Sequence, residues 1–201
     1  MKIIGKIVIV CLCLAAALWF AMVIGDRHTL SNDIIRLHVV GASDSEEDQQ
    51  VKLQVRDVVL GVLESVQAED VGDAKESLEA LFPQLEQAAN EALQNAGMSC
   101  EATVSLAREA FPARDYDTFS LPAGVYESLR VTIGEGEGKN WWCVVFPSLC
   151  LPATAAEFED TSVGAGFSDT LTDTLQQEQG YELRFFFLDC LGWLQNIFHR
   201  S

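Results

Sequence analysis

Most of the side chains that could do chemistry lie in one stretch, residues 36–57, which reads RLHVVGASDSEEDQQVKLQVRD. It places His38, Ser43 and Asp44 within a few residues of one another. Serine, histidine and aspartate are the parts of a hydrolytic triad. Residues so close along a strand end seldom reach triad geometry, however, and the chain contains no nucleophile elbow. The stretch therefore gives only weak support for a hydrolase.

Acidic residues alternate at Asp44, Glu46 and Asp48, as they do at the start of a calcium-binding loop. The pattern then fails, because Gln49 stands where that loop needs glycine and Val55 stands where it needs glutamate. Acids at the first turn of a helix have a structural role of their own, since they cap backbone amides and meet the positive end of the helix dipole. We therefore expect no metal and no cofactor here.

The glycine-rich segment GEGEGKN, residues 134–140, has only part of the pattern of a phosphate-binding loop. Ile133 stands where the first glycine is required, and Asn140 stands where serine or threonine is required. Glu135 and Glu137 would also repel a phosphate. A turn between two strands explains the glycines better.

Basic residues are scarce in this acidic chain, and four of them fall within the first stretch. Lys52 and Arg56 are four residues apart on a predicted helix, and Asp48 precedes Lys52 by the same spacing. Such spacing fits a surface salt-bridge ladder worth about 0.3–0.5 kcal/mol per pair. The alternative is that Arg36, His38, Lys52 and Arg56 form an exposed basic patch that contacts a partner.

Trp141 and Trp142 are consecutive on a predicted strand, so their side chains point to opposite faces. We expect one of them in the core and the other at the surface, where an exposed tryptophan beside a basic patch is typical of a binding hot spot. No catalytic residue is assigned. The candidate partner-binding residues are Arg36, His38, Ser43, Asp44, Asp48, Gln49, Lys52, Arg56, Trp141 and Trp142.

The elements that position these residues are predicted from hydrophobic spacing. Residues 34–40 alternate as a strand, and residues 43–46 fit a capping box at the start of a helix. Apolar residues then recur at helical spacing from Val51 to Val66, which predicts a long helix. A second long helix is predicted from Val71 to Asn95, with Pro83 as a place where it could bend.

The later part of the chain alternates as strands. CEATVSLAREAF predicts one strand, and SLRVTIGEGEGKNWWCVVF predicts two that form a hairpin around the glycine-rich turn. A polar helix near residues 168–177, a strand YELRFFF and a short closing helix LDCLGWLQNIF follow. Together these elements predict an α+β fold, in which two long helices pack on one face of a mostly antiparallel sheet.

Composition limits the class of protein. The chain has 201 residues, of which 49% are hydrophobic and 21% are charged, so it can bury a core, and its length favours one domain. Its formal net charge of −17 would repel nucleic acid. Solubility outside the cell and attraction to a basic partner both explain this acidity, and charge alone does not choose between them.

The chain begins with a targeting segment. Lys2 and Lys6 precede an uninterrupted apolar run from Ile7 to Ile24. The run is just long enough to cross roughly 30 Å of hydrocarbon, so a cleaved signal peptide and a membrane anchor both remain open. The lysines keep the start of the chain in the cytoplasm. We therefore predict a signal peptide or anchor at residues 1–25 and an extracytoplasmic domain at residues 26–201.

Four cysteines lie in the predicted exported part, where thiols can be oxidised: Cys100, Cys143, Cys150 and Cys190. Their spacing matches no zinc motif and allows three pairings. We predict a disulfide between Cys143 and Cys150, which are close in sequence on either side of Pro147. Two free, buried thiols are the alternative.

Two long stretches resemble the stage II sporulation protein R family of endospore-forming bacteria. They are IRLHVVGASDSEEDQQVKLQVRDVVL and FPARDYDTFSLPAGVYESLRVTIGEGEGKNWWCVVFPSLC, and the exported layout is similar as well. Within them, Gly41 and Ala42 replace the alanine and asparagine that are usual in the family, and Ser148 replaces a second proline. These differences concern loop geometry and not membership.

The resemblance implies a signalling protein and not an enzyme. Such a protein is made in the forespore and exported, in secreted or anchored form, into the space between the two sporulation membranes. There it activates a membrane-bound aspartic-type protease of the stage II sporulation protein GA type, which cleaves the inactive precursor of sigma factor E. An extracytoplasmic hydrolase and an envelope-binding module are the alternatives that the residues leave open.

Overall fold

The structure is a computed structural model that describes residues 2–116, 118–148, 155–176 and 183–199. Within these ranges the chain forms seven helices and six strands. The helices are α1 (Lys2–Asn32), α2 (Glu46–Leu63), α3 (Val71–Ala80), α4 (Phe82–Asn95), α5 (Ala155–Gly164), α6 (Asp169–Gln176) and α7 (Leu183–His199). The strands are β1 (Ile35–Val40), β2 (Ala102–Phe111), β3 (Arg114–Asp115), β4 (Ser120–Leu121), β5 (Gly124–Ile133) and β6 (Asn140–Phe146).

Four of the strands form one sheet in the order β2-β5-β1-β6, while β3 and β4 form a separate two-stranded ribbon. β1 pairs in parallel with β5 and antiparallel with β6, and β2 pairs antiparallel with β5. The predicted α+β fold with a mostly antiparallel sheet is confirmed.

The first face of the sheet is covered by α2, α3 and α4. α2 presents Val51, Val55 and Val59 at helical spacing, and they join the same buried cluster as Leu37 and Val39 of β1. Each fully buried valine or leucine contributes about 1.5–3 kcal/mol to stability. The apolar sides of the two predicted helices therefore form this half of the core, together with the first face of the sheet.

The second face of the sheet is covered as well, by the end of α1 and by α5, α6 and α7. Tyr126 and Phe111 of the sheet share a buried cluster with Leu30 of α1, Phe158 of α5 and Leu188 of α7. The prediction that helices cover only one face is therefore wrong, and β1 is buried along its whole length.

The second predicted helix is divided into α3 and α4 at Leu81. Leu81 closes α3 by donating its N–H to the Ser77 carbonyl at 3.2 Å, and it also precedes the first turn of α4. Pro83 has no N–H to donate, and its ring would clash with the Glu79 carbonyl in an uninterrupted helix. The bend expected at Pro83 is therefore a complete break.

β5 and β6 do not form the predicted hairpin, because β1 lies between them. The glycine-rich segment crosses the end of β1 instead, and the Gly138 N–H donates to the Gly41 carbonyl at 2.8 Å. A Cβ atom at Gly138 would lie 2.3 Å from the Ser43 carbonyl oxygen, so only glycine lets the two backbones approach this closely.

The predicted strand YELRFFF is wrong for the residues that the structure describes, because residues 183–187 form the first turns of α7. Residues 181 and 182 lie outside the described part of the chain. Phe185 and Leu188 are buried at helical spacing, so packing overrides the strand preference of three consecutive phenylalanines. The predicted closing helix is the continuation of α7, and the predicted polar helix is confirmed as α6.

The targeting segment forms one continuous helix, α1, which is long enough to cross a membrane and whose most apolar 18-residue stretch has a mean hydropathy of 3.0. Its side chains from Ile3 to Leu18 are exposed, and its packing against the domain begins at Trp19. Val23 and Leu30 are fully buried. α1 therefore passes through the predicted boundary between residues 25 and 26 and ends inside the core.

Candidate functional site

The turn after β1 is built by side-chain hydrogen bonds at the start of α2. Ser45 is the N-cap, and its hydroxyl accepts a hydrogen bond from the Asp48 N–H at 3.1 Å. Ser43 donates to the Asp48 carboxylate, and Gln49 Nε2 donates to the Ser43 carbonyl at 2.7 Å. The cap therefore lies two residues after the position predicted for it, and Ser43 and Asp48 hold the turn together.

Lys52 connects this turn to the glycine-rich segment. Its Nζ donates to Gln49 Oε1 at 2.6 Å and to the Lys139 carbonyl at 2.9 Å. Lys52 is only 5% exposed, and burial lowers the pKa of its amine, an effect that the Asp44 carboxylate opposes. Lys52 is therefore a structural link between two loops and not part of an exposed surface.

Arg36 is buried on the second face of the sheet. Its guanidinium lies 4.2 Å from the centre of the Phe111 ring and donates to the Tyr116 hydroxyl at 2.7 Å, and none of the residue is exposed. The reason is the covering of both sheet faces, which leaves no solvent beside the alternate side chains of β1.

Arg56 is partly exposed beside the first face of the sheet. It pairs with the Asp57 carboxylate at 2.6 Å and lies 5.2 Å from the centre of the Trp141 ring, which is a cation–π distance. The prediction of one exposed basic patch is wrong, because the sheet separates its four members and three of them are buried. Those members are Arg36, His38, Lys52 and Arg56.

His38 lies at the centre of a polar network on the second face. Its Nδ1 is 3.0 Å from Glu109 Oε2, and its Nε2 is 2.9 Å from Asn140 Oδ1. Arg130 donates from Nη1 to Glu109 Oε1 at 2.7 Å. The strand register creates this network, because it places His38 between Arg130 of β5 and Trp142 of β6.

The neighbours of Glu109 stabilise its carboxylate in the charged form. Burial by itself raises the pKa of Glu109, but the hydrogen bond and charge of His38 and the hydrogen bond from Arg130 outweigh burial and lower this pKa to about 2. Both ring nitrogens of His38 are therefore engaged, one with the Glu109 carboxylate and the other with the Asn140 amide.

The network forms the floor of a cleft of about 680 Å³ between the second face of the sheet and α7, which we call the α7 cleft. Trp142 forms one wall, with the Arg114 guanidinium 4.1 Å from the centre of its ring. α7 forms the opposite wall with Trp193 and Asn196. Asn196 donates to the Phe111 carbonyl at 2.8 Å, and its buried Oδ1 has no hydrogen-bond partner among the residues that the structure describes.

The lining of the α7 cleft is suited to binding. It contains cations, aromatic faces and one open amide acceptor, and no serine, threonine, cysteine, tyrosine or lysine among the residues that line it. Glu109 and His38 are already engaged with each other. Across the described ranges, no group of three histidine, cysteine, aspartate or glutamate side chains is placed to hold a metal ion.

The structure separates the predicted partner-binding residues into several places. His38 and Trp142 line the α7 cleft. The hydrogen-bonded turn holds Ser43, Asp48, Gln49 and Lys52, with Asp44 exposed beside it. Arg36 is buried below Phe111, whereas Arg56 and Trp141 lie together on the first face. The binding role of all ten residues stays a prediction.

Sequence reasoning missed Glu109, Arg130 and Asn140 on the floor of the cleft and Trp193 on its wall. Alternation along β2 and β5 places Glu109 and Arg130 on one side of each strand. Alternation does not predict the strand order, which is what brings both side chains to His38. The network therefore could not be predicted from alternation alone.

The predicted disulfide joins a described residue to one outside the described ranges. Cys143 is buried in β6, whereas Cys150 is not among the described residues. Cys100 and Cys190 carry free thiols, so neither is the partner of Cys143 in this structure. The pairing of Cys143 with Cys150 stays a prediction.

The sequence of the chain is similar to those of sporulation proteins. A profile of the family described as Stage II sporulation protein R (spore_II_R) matches residues 31–156, a range that includes the whole sheet and the floor of the α7 cleft. Stage II sporulation protein R of Bacillus subtilis (strain 168) is 26% identical over 189 residues, which cover 84% of this chain and 83% of that protein. No solved structure matches the chain. The chain belongs to the stage II sporulation protein R family.

Proposed function

We propose that this chain is an exported signalling protein of sporulation that activates a membrane-bound aspartic-type protease and so triggers cleavage of the sigma factor E precursor. It passes from the forespore into the space between the two sporulation membranes and acts there by binding, without catalysis. Family membership supports the sporulation role.

The observation that carries the proposal is the way α1 joins the domain. Its exposed surface over residues 3–18 is apolar enough to enter a membrane, whereas its last turns are fixed to the domain. Asp26 pairs with Arg184 of α7, and Arg27 donates to Gln195 at 2.8 Å. A domain attached in this way is held at a membrane surface, within reach of a protease in the facing membrane.

A block of export tests the proposal in sporulating cells. Leu14→Arg places a charge in the middle of the apolar run, where insertion costs about 2.5–3.5 kcal/mol, so the domain should stay inside the forespore. The sigma factor E precursor should then remain uncleaved, as measured by immunoblot at matched protein levels. Lys6→Arg, which keeps the flanking charge, should permit normal cleavage.

Protease added to exposed forespore membranes reports whether the domain has been exported in each strain. Cleavage of the precursor at the wild-type level by a Leu14→Arg protein that stays protected from this protease would contradict the proposal.

A further inference from the structure

We propose that the α7 cleft is the docking site for an acidic segment of a partner protein that also carries an aromatic or aliphatic side chain. The inference rests on the proposed function, in which that segment belongs to the protease. It adds the chemistry by which the partner is recognised.

The α7 cleft does not share the strong negative charge of the whole chain. The chain carries a formal net charge of −17, yet Arg108 and Arg130 line the cleft and Arg114 lies against its wall. The two acidic side chains of the lining already form hydrogen bonds with groups of the protein itself. Glu109 binds its neighbours on the floor, and Asp189 accepts a backbone N–H at 2.8 Å. The two arginines and two acids of the lining cancel in formal charge, and Arg108 already pairs with Glu127 at 3.7 Å. The surplus is the one positive charge of Arg114 at the wall, and it attracts carboxylates.

Two of these cations have donors to spare. Arg130 uses Nε on Thr132 at 3.1 Å and Nη1 on Glu109 at 2.7 Å, so its Nη2 remains available in the described part of the chain. The Arg114 guanidinium lies over the Trp142 ring and makes no hydrogen bond to any described residue. Guanidinium groups held this way can bind carboxylates with two hydrogen bonds.

The opening also offers apolar surface. Trp193 lines the cleft and is 59% exposed, and Phe198, near the end of α7, is 79% exposed. Exposed aromatic side chains beside a cleft mark interaction sites, and tryptophan is enriched among residues that dominate binding energy. A cleft of about 680 Å³ is large enough for a short peptide segment.

Asn196 provides the third feature that a peptide needs. Its Oδ1 is buried in the wall and has no partner within the described ranges, and a buried acceptor without a partner destabilises the free protein. A backbone N–H of the bound segment would satisfy this oxygen. A second copy of this chain is a poorer occupant, because a two-fold contact would bring the two basic clefts together.

Two substitutions of opposite charge at Ala113 test whether the α7 cleft binds an acidic segment. Ala113 is exposed and lines the cleft, so Ala113→Asp and Ala113→Lys should both fold with wild-type stability. Binding of the full chain to the purified full-length protease in detergent should weaken at least tenfold for Ala113→Asp and stay at or above the wild-type level for Ala113→Lys. The difference should shrink as salt is added. Equal binding by the two variants, or weaker binding by Ala113→Lys, would overturn the proposal.

A photo-reactive amino acid at position 193 separates this proposal from the proposed function. In sporulating cells the full chain should form an adduct there with a segment that contains aspartate or glutamate beside an aromatic or aliphatic residue. The same group at Val58, which is partly exposed beside the first face, serves as the control and should give no such adduct.

The identity of the adduct decides both claims. An acidic, apolar segment of the protease supports both, whereas a similar segment of another protein supports the cleft and refutes the protease as partner. An adduct with a segment that lacks acids, an adduct with a second copy of this chain, or one formed only from position 58 would refute the cleft.

Discussion

Several charged residues of β1 and α2 keep their charges inside the protein. Arg36 places its guanidinium against the Phe111 ring, and Lys52 gives its Nζ to two oxygen atoms of neighbouring loops. Burial of a cation is costly unless such partners replace water. These residues should therefore affect stability more than surface ion pairs do. The contribution of a buried charge to stability can be measured at Glu109 by changing the pH.

Glu109→Gln should lower the free energy of unfolding at pH 7 by about 3 kcal/mol, because the folded state lowers the pKa of Glu109 from 4.5 to about 2. A folded pKa below the unfolded one gives stability that is fully present above pH 4.5 and is lost as the pH falls through 2. Urea unfolding of both proteins across this range should show the difference shrinking. A difference that stays constant down to pH 2 would mean that ionisation of Glu109 contributes nothing.

Lys52→Ala should lower the free energy of unfolding by about 1–3 kcal/mol, because it removes the hydrogen bonds to Gln49 Oε1 and to the Lys139 carbonyl. Arg56→Gln, four residues later on α2, should change it by less than about 0.5 kcal/mol, since Arg56 is only partly buried. Denaturant unfolding measures both. If both substitutions changed the free energy of unfolding equally little, Lys52 would behave as a member of a surface salt-bridge ladder and not as a buried link between loops.

The exported protein should contain a disulfide between Cys143 and Cys150 together with free thiols at Cys100 and Cys190, as the structure has the latter two. Alkylation without reduction, followed by peptide mass spectrometry, should label only these two thiols in the exported domain. Alkylation of both Cys143 and Cys150 in an active protein would show that the pairing does not form.

At the scale of elements, sequence patterns predicted what is local. Val51, Val55 and Val59 recur at helical spacing, and that spacing is enough to place α2 and its buried side. The alternation of β2, β5 and β6 likewise predicted three strands. Each of these signals depends only on residues within one element.

The parts that could not be predicted depend on what packs against an element. The polar residues Arg36 and His38 made β1 look half exposed, whereas helices far along the chain cover its second face. The glycine-rich turn looked like a hairpin, because alternation does not show that β1 enters between β5 and β6. The α7 cleft combines β1, β2, β5, β6 and α7, so no single stretch of sequence could have indicated it.

The packing of α1 leads to a prediction at the same scale. Val23→Ala should lower the free energy of unfolding of the full chain in detergent by about 1–3 kcal/mol, because Val23 is fully buried between α1 and the domain. Ile24→Ala, at a position that is half exposed, should change it by less than about 0.5 kcal/mol. Equal effects at both positions would show that the end of α1 is not part of the folded core.

At the scale of the whole molecule, three surfaces differ in chemistry. α1 presents apolar side chains over residues 3–18, most of the domain is acidic, and the α7 cleft is basic and aromatic. A membrane-facing helix joined to a domain with one basic cleft is the layout expected of a protein that acts on a partner at a membrane.

Reconstitution tests the central claim, activation of the protease, most directly. The purified full chain, the full-length protease and the sigma factor E precursor are combined in vesicles, and cleavage of the precursor is followed by electrophoresis. The account predicts rapid cleavage only when the chain and the protease are both present, and no cleavage by the chain alone. Equal cleavage by the protease with and without the chain, or cleavage of the precursor by the chain in the absence of the protease, would contradict it.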